Sequence, residues 1–94
     1  MKTRDELRAE IDAIDTQLLE LLNRRAGLAV EIARLKAMGG VPVLDPERER
    51  AVIGRACGAN AGPLGRQAVE RIFRAVMRES RLLQARTVRE LRNG

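Results

Sequence analysis

The 94-residue sequence has no histidine, tryptophan or tyrosine, and only one phenylalanine and one cysteine. Each absence removes a class of function. Without histidine there is no imidazole base, no Ser-His-Asp triad and no His-ligated metal. Phe73 alone cannot supply the aromatic platforms on which single-strand nucleic-acid binders stack bases. Cys57 alone forms neither an intrachain disulfide nor a Cys-rich zinc site, which suits a reducing compartment. No stretch approaches the roughly 20 apolar residues of a membrane-spanning helix. The N-terminus, Met1-Lys2-Thr3-Arg4-Asp5-Glu6, enters an amphipathic pattern without the apolar block of a signal peptide. The expectation is a soluble, cytoplasmic protein that uses no metal and no cofactor.

What is present is charge and aliphatic side chains. Charged residues make up 33% and the apolar set 45%, and the aliphatics recur periodically, which argues against disorder. Eighteen Lys and Arg against thirteen Asp and Glu give a net charge of +5. That surplus points to an anionic partner, whether a polyanion, a membrane surface or a small acid. At this length the chain is one domain, residues 1–94, with a small core.

Three helices account for nearly all of it, so the fold class is all-α. Thr3-Arg4-Asp5-Glu6 fits a capping box. From there Leu7, Ile11, Ile14, Leu18, Leu21, Leu28, Ile32 and Leu35 alternate spacings of four and three, with one vacancy, which predicts a helix over about 4–38. Gly39-Gly40 and Pro42 end it. Asp45-Pro46 reads as an N-cap followed by proline at the first helical position, opening a second helix over about 46–57, with Glu47 and Glu49 near its positive end. After a Gly-rich loop a third helix is expected over about 63–91, burying Val69, Ile72, Phe73, Val76, Met77 and Leu83.

Length bears on assembly. A helix of about 35 residues spans about 52 Å, whereas a compact monomer of this size has a diameter near 30 Å. The first helix therefore overhangs its own globule. Its seam needs a second chain, and an intertwined two-fold homodimer is expected.

The vacancy in that seam is filled by Arg25, a guanidinium where the pattern calls for Leu or Ile. Either it meets an anion or it escapes to solvent or to a carboxylate on another helix. Lys36 follows eleven residues on and returns to nearly the same face. On the third helix Phe73, Met77, Ser80, Gln84, Val88 and Leu91 form another four-three seam, with a hydroxyl and a carboxamide on neighbouring rungs. Glu49 shares a face with Asp45 and Ile53. Each of these has a structural reading: a solvated lysine, a dipole-favouring glutamate, a polar pair that fixes register. Together they place two cations, two neutral hydrogen-bonding groups and a carboxylate where three apolar faces would meet. Such a pocket suits a small ligand with carboxylates and a hydroxyl, and it holds no activated nucleophile.

These residues carry a resemblance. Leu7-Arg8 with Ile11 and Asp15, Leu21-Leu22-Asn23-Arg24-Arg25 with Leu28-Ala29-Val30, Lys36, Pro42-Val43 through Asp45-Pro46-Glu47-Arg48-Glu49, and Glu79-Ser80 with Gln84 occur in the order and spacing of the all-helical chorismate mutases. The chain resembles that class over nearly its whole length. The resemblance implies a homodimer with shared active sites that rearranges chorismate to prephenate in phenylalanine and tyrosine biosynthesis. It implies that Arg25, with Arg8 from the partner subunit, clamps the carboxylates. Lys36 and Gln84 would donate to the ether oxygen, Glu49 would accept from the ring hydroxyl, Asp45 and Arg48 would support that side, and Ser80 would bind a carboxylate. Helical phase fits the split, since Arg8 lies seventeen residues from Arg25 and about 100° off its face. Relatives of this class are at times fused to, or associated with, another aromatic-pathway enzyme. Arg81 departs from the pattern, standing where an apolar residue is common.

Two rivals stand beside this reading. Isochorismate-pyruvate lyase shares the fold and a similar Arg/Lys/Gln set, and Glu49 favours the mutase because a carboxylate suits a ring hydroxyl. A basic helical dimer that binds nucleic acid or protein would need clustered exposed cations, whereas runs such as Arg48-Glu49-Arg50 mix the signs. No nucleic acid and no membrane partner is expected.

Overall fold

Helix formation follows the caps closely in the computed structural model, which describes residues 1–94. Thr3 caps α1, Arg4–Met38, with its hydroxyl oxygen accepting from the Glu6 N–H at 3.1 Å. The Glu6 carboxylate accepts from the Thr3 hydroxyl at 3.2 Å, so the pair closes on itself. Gly40 takes the left-handed conformation at φ 70°, and this brings the Val41 N–H back to the Lys36 carbonyl at 2.8 Å. Asp45 caps α2, Pro46–Ala59, by accepting from the Arg48 N–H at 3.1 Å.

The third helix, α3, runs Arg66–Asn93 and starts three residues later than expected. Asn60 is the reason. Its side chain accepts from the Gly62 N–H at 3.1 Å and donates to the Leu64 carbonyl at 2.7 Å, which holds residues 60–64 as a loop. No strand is present, and no helix is long and apolar enough to cross a membrane.

α3 organises the chain, packing on both α1 and α2. It runs parallel to the C-terminal half of α1, since Arg25 meets Ser80 and Ala29 meets Gln84. It runs antiparallel to α2, since Glu49 meets Arg81 while Cys57 meets Arg66. The result is a slab of 57 × 27 × 14 Å with a radius of gyration of 16.8 Å, well above the roughly 12 Å of a compact chain this long.

Only six of 94 residues are buried. Every residue from Met1 to Arg24 is exposed, so about the first three-fifths of α1 projects with little cover from its own chain. The side of α1 that meets α3 is not the aliphatic seam. It is marked by Ala29 and Ala33, whose small side chains let the helices approach, while Leu28, Ile32 and Leu35 of the seam are 60%, 49% and 69% exposed. On α3, Val69 and Met77 are buried, and Phe73, Val76 and Leu83 half-buried, as expected. Ile72 is instead exposed. Thr87 is buried in its own right, its hydroxyl donating to the Leu83 carbonyl at 2.9 Å.

Candidate active site

Where the C-terminal half of α1, the start of α2 and the middle of α3 meet, a cleft of about 280 Å3 opens. Arg25, Lys36, Asp45, Arg48, Glu49, Ser80 and Gln84 all line it. These are seven of the eight residues singled out from the sequence. The eighth, Arg8, is not among them. It stands exposed on the projecting arm of α1, seventeen residues and about 25 Å from Arg25 along the helix.

Each side chain is set by its own helix. Arg25 is half-buried at the edge of the α1–α3 contact. Its Nη1 donates to the Ser80 hydroxyl oxygen at 2.9 Å and its Nη2 to the Met77 sulfur at 3.7 Å. No carboxylate of the chain lies within ion-pair distance of it. Of the fates open to this guanidinium, the structure shows a neutral anchor and an unbalanced charge. Such an arrangement is costly in a partly dry site unless an anion arrives.

Lys36 reaches across the α1–α2 turn to within 3.7 Å of the Asp45 Oδ2, a long pair with side chains 27% and 47% exposed. Asp45 spends its other oxygen on the cap of α2. Gln84 donates one amide hydrogen to the Ala29 carbonyl at 2.9 Å, which fixes its carboxamide against α1 and leaves a second N–H available. Leu28, Ile32, Val52 and Met77 supply the apolar wall.

Arg81 also lines the cleft and was not among the expected site residues. Its guanidinium forms an ion pair with the Glu49 carboxylate across the α2–α3 contact. Four residues from Met77 and three from Gln84, it shares their face, and that phase was the signal for it.

A wider groove of about 600 Å3 lies between the end of α1, the Val41–Val43 turn and the end of α3. It is mostly apolar, with Arg92 its only charged side chain. The smaller cleft is assigned as the site because that is where the hydrogen-bonding groups converge.

The cleft holds Arg25, Lys36, Arg48 and Arg81 against Asp45 and Glu49, a net charge of +2. It contains donors in fixed positions and no nucleophile with a neighbouring base. No group of His, Cys, Asp and Glu is arranged to hold a metal ion. Chemically, such a site can grip a small dianion and stabilise charge that develops on one of its oxygens.

Residues 7–85 match the sequence family described as chorismate mutase type II. The chain belongs to that family. It is 48% identical over 82 residues to a bifunctional chorismate mutase/prephenate dehydratase of Neisseria gonorrhoeae, covering 83% of this chain and 22% of the relative. The chain thus spans less than a quarter of that relative's length. It is 50% identical over 50 residues to a 4-amino-4-deoxychorismate mutase of Streptomyces venezuelae, covering 53% of this chain and 48% of the relative. Among solved structures it superposes on the chorismate mutase of Helicobacter pylori in complex with prephenate with a TM-score of 0.83 at 31% identity, covering 92% of this chain and 93% of the other. The family's three-helix fold is therefore the frame on which this cleft is built.

Proposed function

We propose that this chain, as a single domain, catalyses the [3,3] rearrangement of chorismate to prephenate. The observation that carries the reading is the cleft itself: an unbalanced Arg25, Lys36, the free N–H of Gln84 and the Glu49 carboxylate all border one space of about 280 Å3.

The reaction breaks a C–O bond and forms a C–C bond within one molecule, so it needs no acid, base or nucleophile. What limits it is geometry and charge. The flexible dianion must be folded so that its reacting ends approach, the proximity contribution. Negative charge building on the ether oxygen must be met by donors already in place. Arg25, anchored on Ser80, would hold one carboxylate. Lys36 and Gln84 would donate to the ether oxygen, and Glu49 would accept from the ring hydroxyl, with Asp45 and Arg48 supporting that side.

One carboxylate clamp is then missing from the chain's own cleft. The bare arm of α1 supplies the reason. Leu7, Ile11, Ile14, Leu18 and Leu21 are 48–59% exposed along it, a row of apolar residues without a partner. A second copy laid along the arm would cover this row and carry Arg8 into the neighbouring cleft, giving a homodimer with shared sites. The buried lone Cys57 suits a cytoplasmic location. The bifunctional Neisseria relative, named for both a chorismate mutase and a prephenate dehydratase, supports association of this activity with another enzyme of the aromatic pathway.

The test is product identity. Incubation with chorismate is expected to yield prephenate, and incubation with isochorismate no salicylate or pyruvate. Salicylate with pyruvate from isochorismate, without prephenate from chorismate, would assign the lyase reaction instead.

A further inference from the structure

We propose that Arg81 makes the cleft select a neutral hydrogen-bond donor over a cation at the substrate's ring position, so that chorismate is preferred to its 4-amino analogue; this rests on the mutase reading above. The starting point is the ion pair between Arg81 and Glu49. Arg81 occupies the Oε1 of Glu49, and the carboxylate keeps further lone pairs that can accept from a ring hydroxyl.

Pairing changes what Glu49 attracts. A carboxylate without a counter-ion binds an ammonium more strongly than a hydroxyl, because two opposite unit charges attract each other whereas a hydroxyl offers only a dipole. In this cleft the charge of Glu49 is already balanced. An ammonium at the ring position would gain little from the carboxylate and would sit beside a guanidinium. A hydroxyl, being neutral, loses far less by the pairing.

The surroundings act in the same direction. Arg81 forms part of the wall between the cleft and a second groove, which carries Arg71, Arg74 and Arg78 with Glu49 as its only acid. On the cleft side the nearby charges are Arg25, Lys36 and Arg48, with Asp45 engaged by Lys36. The net +2 of the cleft matches a dianion. The 4-amino analogue, protonated at neutral pH as aliphatic amines are, carries one negative charge less. The choice between the two compounds is a real one among similar sequences, since the Streptomyces relative is named for the amino compound.

The experiment compares kcat/KM for chorismate and for 4-amino-4-deoxychorismate in the wild type, Arg81→Met and Arg81→Lys, with folding followed by circular dichroism. The wild type is expected to prefer chorismate by about tenfold or more, equivalent to about 1.4 kcal/mol. Arg81→Met is expected to shift the ratio of the two values by about tenfold toward the amino compound, while Arg81→Lys, which keeps the charge, retains the preference. Arg81→Gln removes the charge and keeps a donor to Glu49, and gives the same reading if Arg81→Met fails to fold. A ratio that stays within about twofold of wild type in the Met or Gln variant, with both substrates losing rate equally, would overturn the proposal and make Arg81 a general anion clamp. A wild type that turns over neither compound would overturn the mutase reading and the proposal with it.

Discussion

Lys36→Ala is expected to separate catalysis from stability. In the folded chain Lys36 makes one polar contact, the 3.7 Å pair with Asp45, whose side chains are 27% and 47% exposed. A pair that long and that wet contributes less than about 1 kcal/mol after solvent screening. Asp45 keeps its cap on the Arg48 N–H when Lys36 is gone, so the start of α2 is unaffected. The expected fall in melting temperature is at most about 4–8 °C, the shift that 1 kcal/mol produces in a domain of this size. The chemical step is a different matter. Loss of one pre-aimed donor to a developing oxyanion costs about 10²–10³ in kcat, or about 2.7–4 kcal/mol. Two measurements decide it: chorismate consumption at saturating substrate, and thermal melting by circular dichroism. A folded Lys36→Ala protein whose kcat stays within about tenfold of wild type would refute the placement of Lys36 on the ether oxygen.

Three further changes probe other parts. Gln84→Leu keeps the volume but removes both amide N–H groups, the one held against Ala29 and the free one, and kcat should fall by about 10² or more while the substrate KM changes less. Asp45→Ala removes the cap of α2 and should lower stability by about 0.5–2 kcal/mol in denaturant titrations, whereas Asp45→Asn should recover most of it. Ile14→Glu places a charge in the bare apolar row of α1, and light scattering should show the dimer population shifting to a single-chain mass, with loss of turnover at low protein concentration.

The helices were legible because their ends are written in local chemistry. Thr3, Gly40 and Asp45-Pro46 act through hydrogen bonds within a few residues, and the α1 and α2 starts fall where those signals put them. The start of α3 was not legible, because Pro63 offers a plausible first turn and the competing loop depends on how Asn60 bonds to Gly62 and Leu64. The cleft was legible from phase and resemblance together. Lys36 returns to the face of Arg25 after three turns, and Ser80 and Gln84 share one face of α3.

Periodicity ranks faces by bulk, and for that reason it did not reveal which side of α1 meets its own chain. The bulky seam of Leu28, Ile32 and Leu35 lies open, and the intrachain contact is made by Ala29 and Ala33, where close approach matters more than side-chain size. Arg81 was noticed as a departure, but its partner lies 32 residues away on α2, beyond what spacing within one helix can show.

If chorismate is rearranged in a site whose cations come from two chains, two inactive variants should restore each other when their subunits are mixed. Arg8→Ala and Lys36→Ala proteins are each expected to be nearly inactive alone. Unfolded together in equal amounts and refolded, about half of the dimers would pair one chain of each kind, and each of these would hold one site with both cations intact. The mixture should recover about a quarter of wild-type chorismate turnover by that statistics of symmetric pairing. A mixture no more active than the sum of its two components would contradict the shared site.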